Sequence, residues 1–195
     1  MQAVALPAIS LPSMAENLPP VPPLFFRKAR MTDLPALLQL TRECVASMRA
    51  AGNPQWDDSY PNAEVISKDI AAQTLEVLCD GSHAENAAAP LIGCITVDRF
   101  MHPLWAGLDW RFPPDSAAAV HRLMISPSHR GQGLAKLAMA YAEALATTWG
   151  CRSMRLDCFC QNKPGHALYP GLGYRFSGIA IMRVGEYSGF EKALE

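Results

Sequence analysis

An α/β (or α+β) domain built on a mixed β-sheet is what this chain predicts, and three observations carry the prediction. Strand-like and helix-like segments follow one another from Leu24 onward, the order that layered sheet-and-helix domains show. Leu134, Leu137, Ala138, Tyr141, Ala142, Leu145, Ala146 and Trp149 recur at three- and four-residue steps, giving the single apolar stripe of a helix packed on a core. Immediately before that helix come an apolar strand, Val120 to Ile125, and the compact loop Arg130-Gly131-Gln132-Gly133-Leu134-Ala135.

The elements fall in order along the chain. Residues 1–23 contain no Lys or Arg and many prolines, ending in Pro19-Pro20-Val21-Pro22-Pro23. They lack the basic start of a secretory signal and are expected to be an extended, partly polyproline arm, leaving 24–195 as the domain. Leu24 to Ala29 is a short strand. Thr32 is the expected cap of a helix that tolerates Pro35 near its start and runs to about Arg49. Ala51-Gly52-Asn53-Pro54 breaks the chain, and Pro61 to Ala72 forms a second helix. Leu75 to Cys79 and Leu91 to Asp98 are strands joined by the polar loop Asp80 to Pro90. The insert Phe100 to Ala119, rich in Trp and Pro, is longer than a tight hairpin needs; it either reshapes the neighbouring site or forms a dimer contact. Gly150 stands where a left-handed helix-terminating residue belongs. Ser153 to Phe159 alternates like a half-buried strand. A short helix around Gly165 to Gly171 and two strands near Tyr174 to Val184 close the domain.

Composition narrows the function classes. The chain has 195 residues, half of them apolar, and a net charge of −1. That size suits one domain with a substantial core, and the charge gives no reason to expect nucleic-acid or acidic-membrane partners. No apolar run approaches the roughly 18 to 20 residues of a membrane span, so a cytoplasmic protein is expected. Six cysteines, at 44, 79, 94, 151, 158 and 160, show neither a disulfide framework nor a second ligand pair to accompany Cys158-Phe159-Cys160, and no metal is expected.

The glycine loop is where chemistry enters. Main-chain N–H groups at a helix N-terminus, with little side chain in the way, suit a phosphate or diphosphate. A Walker loop is excluded, because Gly133 is followed by Leu134 and Ala135 rather than by Lys and a hydroxyl residue. A dinucleotide fingerprint is half present in Gly131-Gln132-Gly133, with Asp157 near the distance of its acidic partner.

The order and spacing of three motifs decide between these readings. They are Arg130-Gly131-Gln132-Gly133-Leu134-Ala135, then Asn162 seven residues before Tyr169, then Leu168-Tyr169 followed by Leu172-Gly173-Tyr174. Together they resemble the signature of the GCN5-related N-acetyltransferase (GNAT) superfamily, over about Phe25 to the C-terminus and most weakly between Asp80 and Ala119. The resemblance implies a twisted central sheet whose fourth and fifth strands splay apart, with acetyl-CoA wedged in the gap and no metal. It also implies residue roles. The backbone from Arg130 through Gly131, Gln132, Gly133, Leu134, Ala135 and Lys136 would hold the diphosphate. Leu123, Met124 and Ile125 would bind the pantetheine arm and polarise the thioester carbonyl. Asn162 would hydrogen-bond the arm, and Tyr169 would protonate the departing thiolate. Spacing alone does not exclude a core aromatic with its hydroxyl satisfied at Tyr169, but the acid role is the favoured reading.

Proton removal from the attacking amine has several candidates. His121 titrates in the useful range and sits on the cofactor strand. Asp157 lies on the neighbouring strand. Asp57 and Asp58 occupy the segment Gln55-Trp56-Asp57-Asp58-Ser59-Tyr60-Pro61, where Trp56 and Tyr60 either wall an acceptor pocket or pin a loop to the core. The leading expectation is N-acetylation of a primary amine, on a small molecule or a protein N-terminus, by direct attack in a ternary complex. An acetyl-carrying Cys158 or Cys160 lacks an evident base. A non-catalytic acyl-CoA sensor, or a regulatory homodimer built through the N-terminal arm, are the readings from other classes.

Overall fold

The structure is a computed structural model that describes residues 24–81 and 90–194. The expected N-terminal arm and most of the loop after Asp80 lie outside the described residues. The strands are β1 (Leu24–Lys28), β2 (Leu75–Asp80), β3 (Leu91–Asp98), β4 (Ala117–Ile125), β5 (Ser153–Phe159), β6 (Arg175–Met182) and β7 (Gly185–Ala193). They form one sheet in the order β1-β2-β3-β4-β5-β7-β6. Only β4 and β5 are parallel, and the other neighbours are antiparallel. The helices are α1 (Leu34–Ala50), α2 (Ala63–Ala71), α3 (Leu134–Thr148) and α4 (Lys163–Gly171).

Two features of the register open the sheet. β4 and β5 pair only through Ala117, Ala118 and Ala119 against Ser153, Met154 and Arg155, although both strands continue beyond these residues, so they part company from His121 and Asp157 onward. Within β4, His121 pairs with Thr96 and Met124 with Cys94; β4 therefore carries an extra residue, a bulge. Arg122 sits in that bulge at φ 46°, a strained conformation for a side chain of its size. Its guanidinium holds the bulge in place, donating from Nε and Nη2 to both Asp69 oxygens (2.7 and 2.8 Å) and from Nη1 to the Tyr60 hydroxyl (3.1 Å).

Both faces of the sheet are covered. α3 packs Ala138, Met139, Ala142 and Ala146 against Ile95, Val97, Ala118, Val120, Met154 and Leu156, with Tyr169 of α4 and Leu172 just after it beside them. α1 and α2 cover the opposite face through Leu37, Leu40, Val45, Ile66 and Ile70 against Leu75, Val77, Cys94 and Met124. Of the stripe expected from the sequence, Leu134, Ala138, Ala142 and Ala146 are buried; Leu137 is exposed instead, and Met139, outside the expected stripe, joins the buried face.

Several local expectations are corrected. Thr32 is exposed and caps nothing; a short 3-10 turn, Met31–Asp33, precedes α1. Asp33 organises that turn, accepting from the Arg30 amide (2.7 Å) and pairing with Arg27 (2.7 Å). α2 begins at Ala63 rather than Pro61, capped by Asn62, whose oxygen accepts from the Val65 amide. β4 starts at Ala117, three residues before Val120, and the last strand lies beyond Val184. α4 begins at Lys163 rather than near Gly165: Pro164 stands in its first turn, where its missing N–H is harmless, and Asn162 accepts from the Gly165 amide.

The correction with the largest consequence concerns β5. Its alternation is real, but almost every position is buried, because the segment between β3 and β4 folds over the polar face. Arg155 and Glu191 pair there at 3.0 Å with both side chains 2% exposed. Arg155 also donates to the Phe112 carbonyl and lies over the Trp110 ring at 4.6 Å. The Arg111 amide donates to Glu191 at 2.6 Å. Removing one partner of such a pair strands the other charge in a dry site, at a cost of about 3–5 kcal/mol. Arg155→Ala is therefore expected to lower unfolding free energy in urea by about that amount; a loss under about 1 kcal/mol, the range of an exposed pair, would refute the buried-network account.

Candidate functional site

Where β4 and β5 separate, a cleft of about 1880 Å³ runs through the sheet. The gap joins the two faces: His121 and Asp157 reach it from the face that carries the insert, and Tyr169 reaches it from the face that carries α4.

One end of the cleft is the glycine loop. Gly131 and Gly133 adopt φ 77° and 78°, and a Cβ built on either meets nothing within 4 Å. These left-handed turns carry the chain from β4 into α3. Among the described residues, no hydrogen bond is made by the amides of Gly131, Gln132, Gly133, Leu134, Ala135 or Lys136 to a protein acceptor; the first helical amide that is bonded is Leu137, to the Gly133 carbonyl at 3.1 Å. Arg130, Gly131, Gly133, Leu134, Ala135 and Lys136 line the cleft, whereas the exposed Gln132 side chain does not. Leu123, Met124 and Ile125 continue the lining along β4. Neither Arg122 nor Leu123 has a register partner in β3, and β5 has already diverged, so their main-chain groups border the gap. Unbonded amides at a helix N-terminus and free strand backbone fit a diphosphate joined to an amide-bearing arm, as coenzyme A presents.

The other end holds the titratable groups. The Asp157 carboxyl accepts a hydrogen bond from Trp105 Nε1 at 3.1 Å. Burial raises its pKa above the ordinary carboxylate value, and His121 opposes that shift. The His121 ring stacks on Trp105, with centroids 5.7 Å apart and planes 13° from parallel. Its Nε2 lies 3.3 Å from Asp98 Oδ1 but off the line a hydrogen bond needs, so this buried nitrogen has no bonded partner. Tyr169 is half-buried against Phe190 and Tyr174, with centroids 5.8 and 6.0 Å away. Burial and the nearby Cys158 and Asp157 push its phenol upward, so it stays protonated at neutral pH. Burial likewise raises the Cys158 thiol to about 12, which removes it as a nucleophile near neutrality.

A strap from Gln55 to Tyr60 closes one wall. Trp56 is 8% exposed and packs in the α1/α2 core while also lining the cleft; Tyr60 packs against the same core. Arg183, in the β6–β7 turn, grips the strap through Asp57 Oδ2 (2.7 Å) and the Gln55 carbonyl (3.0 Å). That guanidinium, with Ser59, holds the Asp57 carboxyl well below the usual carboxylate range. Asp58 points outward to Arg49. Neither carboxylate is placed to take a proton from an amine. Asn162 spends its oxygen on the α4 cap and one amide hydrogen on Gln55 Oε1 (3.1 Å), a bond across the cleft that the sequence did not announce. Asp98, Trp105 and Arg183 also join the site without a motif. Their only signal was the unusual length of the insert and the strap's run of polar and aromatic residues.

Comparison with known proteins agrees with this geometry. Residues 45–174, more than half of the chain, match the model of the acetyltransferase (GNAT) family, and the chain belongs to that family. It is 34% identical over 83 residues to GCN5-related N-acetyltransferase 4, chloroplastic, of Arabidopsis thaliana, a match covering 43% of this chain and 28% of that protein's length. A GNAT-family acetyltransferase structure from Streptococcus agalactiae has a TM-score of 0.73 at 22% identity, over 88% of this chain and 96% of that one. The PaiA N-acetyltransferase of Thermoplasma acidophilum, in complex with coenzyme A, has a TM-score of 0.63 at 18% identity, over 88% and 99%. The twisted mixed sheet with a parting fourth and fifth strand is thus a GNAT fold. Among the described residues, no helix is long and apolar enough to cross a membrane, and no group of three or more His, Cys, Asp or Glu residues could hold a metal ion.

Proposed function

We propose that this protein transfers an acetyl group from acetyl-CoA to a primary amine, of a small molecule or a protein N-terminus, by direct attack in a ternary complex. The observation that carries the reading is the run of unbonded amides from Gly131 to Lys136 at one end of the cleft that also holds Asp157 and Tyr169. Bound acetyl-CoA supplies an activated acetyl group and a thiol leaving group.

The chain's own residues divide the remaining work. The amides from Gly131 to Lys136 grip the diphosphate, with positive charge from Arg130 and Lys136. Main-chain groups of Leu123, Met124 and Ile125 hold the pantetheine arm and polarise the thioester carbonyl. Asn162 places the start of α4 and keeps one amide hydrogen for the arm. Asp157, fixed by Trp105, accepts the proton that an ammonium must lose before it can attack. His121, between Asp98 and Asp157, takes that proton onward. Tyr169 donates at the departing sulfur.

Tyr169 is a modest acid for this task, because burial weakens a phenol that starts near 10. Tyr169→Phe is expected to lower kcat about tenfold to a hundredfold, the low end for a positioned acid, with coenzyme A affinity nearly kept. Wild-type turnover in that variant would remove Tyr169 from the mechanism. Calorimetry with acetyl-CoA, paired with thiol release over an amine panel, tests the whole reading. Binding with release supports it. Binding without release on any amine would make the protein an acyl-CoA sensor instead.

A further inference from the structure

The insert places in the cleft two apolar side chains that the core does not use. Phe100 is 56% and Leu104 51% exposed, yet both line the cleft that holds Asp157 and His121. Trp105, the next residue after Leu104, ties this segment to the site through Asp157 and the stack on His121. The Phe100 ring stands 6.2 Å from His121 and 6.4 Å from His102, and His102 stands 6.4 Å from Trp105. The rings of Phe100, His102, Trp105 and His121 thus form a closed circuit that Trp105 ties to the carboxylate, with Leu104 next to Trp105 in the chain. Phe100, His102 and Leu104 are what the insert contributes to the cleft lining, and it adds neither a carboxylate nor a Lys or Arg there.

We propose that this rim is a subsite for the group next to the acceptor nitrogen, so that the acceptor is a primary amine with an apolar or aromatic substituent within one or two carbons of the nitrogen. The inference rests on the transferase reading for the role of Asp157. Trp105 bonds that carboxylate and His121 bridges it to the Phe100 ring, so the substituent of an ammonium held there has Phe100 and Leu104 as apolar lining of the same cleft. A hydroxylated or charged substituent would not bury Phe100 and Leu104 without losing its own hydration. An apolar one removes two exposed side chains and itself from water, which at about 25 cal/mol per Å² of buried area corresponds to roughly tenfold or more in affinity. An arylalkyl amine and a peptide beginning with Leu or Phe offer the same chemistry from two sources.

The test is calorimetric binding of paired amines to the protein saturated with coenzyme A, with thiol release from acetyl-CoA followed for the same amines. Phenethylamine is compared with ethanolamine, and a tripeptide beginning with Leu with one beginning with Ser. The apolar member of at least one pair is expected to bind about tenfold tighter, and the pair that shows the gap identifies the source. The double replacement Phe100→Ser with Leu104→Ser is expected to close the gap; both side chains are more than half exposed, so the core does not depend on them. Equal affinities, no measurable binding, or a preference that survives the double replacement would overturn the subsite. Selective binding without thiol release supports the subsite and counts against the transferase reading. Release without selectivity does the reverse.

Discussion

Asp157→Asn is expected to lower kcat by about 10²- to 10⁴-fold, the contribution typical of a positioned general base, while acetyl-CoA binding persists. Asparagine keeps the size of the side chain and can still accept the Trp105 Nε1 hydrogen bond, so what it loses is the proton-accepting charge. The pH profile gives a second readout. Because burial raises the native pKa of Asp157, the wild-type rate should climb with pH through a range above the ordinary carboxylate value, and the asparagine variant should lack that limb. A variant that kept wild-type kcat and the same profile would hand the base role to another group.

The same carboxylate links activity to stability. A group whose folded-state pKa lies above its unfolded value binds more protons when native, so stability falls as pH rises from the unfolded pKa through the folded one. Asp157 is such a group. Above that window the ionised carboxylate burdens the fold, and Asp157→Asn should melt higher than the wild type. Below the ordinary carboxylate range the two should converge. A site residue that costs stability to hold in its working form is common where function and packing compete.

How much of this was legible in the sequence depends on the distance over which each feature is decided. α3, its Gly150 terminus and the glycine loop are local: apolar spacing and three left-handed glycines, Gly131, Gly133 and Gly150, specify them within about twenty residues. The β4 bulge is not local. It depends on Asp69 and Tyr60 holding Arg122 from α2 and the strap, and no periodicity in Val120 to Ile125 marks the extra residue. β5 shows the limit most clearly. Its alternation correctly put Ser153, Arg155 and Asp157 on one face, but the burial of that face depends on the segment between β3 and β4 lying over it. The approach of His121 to Asp98 was hidden for a related reason: twenty-three positions of chain and a bulge obscure which strand positions meet. The bond from Asn162 to Gln55 spans 107 residues and has no sequence signature.

Gly133→Val is the replacement expected to remove acetyl-CoA binding, with affinity lost by at least about a hundredfold, the equivalent of roughly 2.7 kcal/mol. Two effects act together, and the fold provides a control that separates them. At φ 78° any side chain strains the backbone by about 1–2 kcal/mol, a cost carried by stability. The Cβ itself meets no protein atom within 4 Å, and because Gly133 lines the cleft, a valine there would compete with a diphosphate seated against the amides. Gly150 has nearly the same backbone, φ 74° with equally open space, but closes the far end of α3 and does not line the cleft. Gly150→Val should therefore lose a similar amount of melting stability and bind acetyl-CoA as the wild type does. If the Gly133 variant bound normally, or if both variants lost affinity in proportion to their stability, the amides of this loop would not be the anion seat. The transferase reading would then lose its main support, because Asp157 and Tyr169 have no thioester to act on unless this loop holds one in the gap.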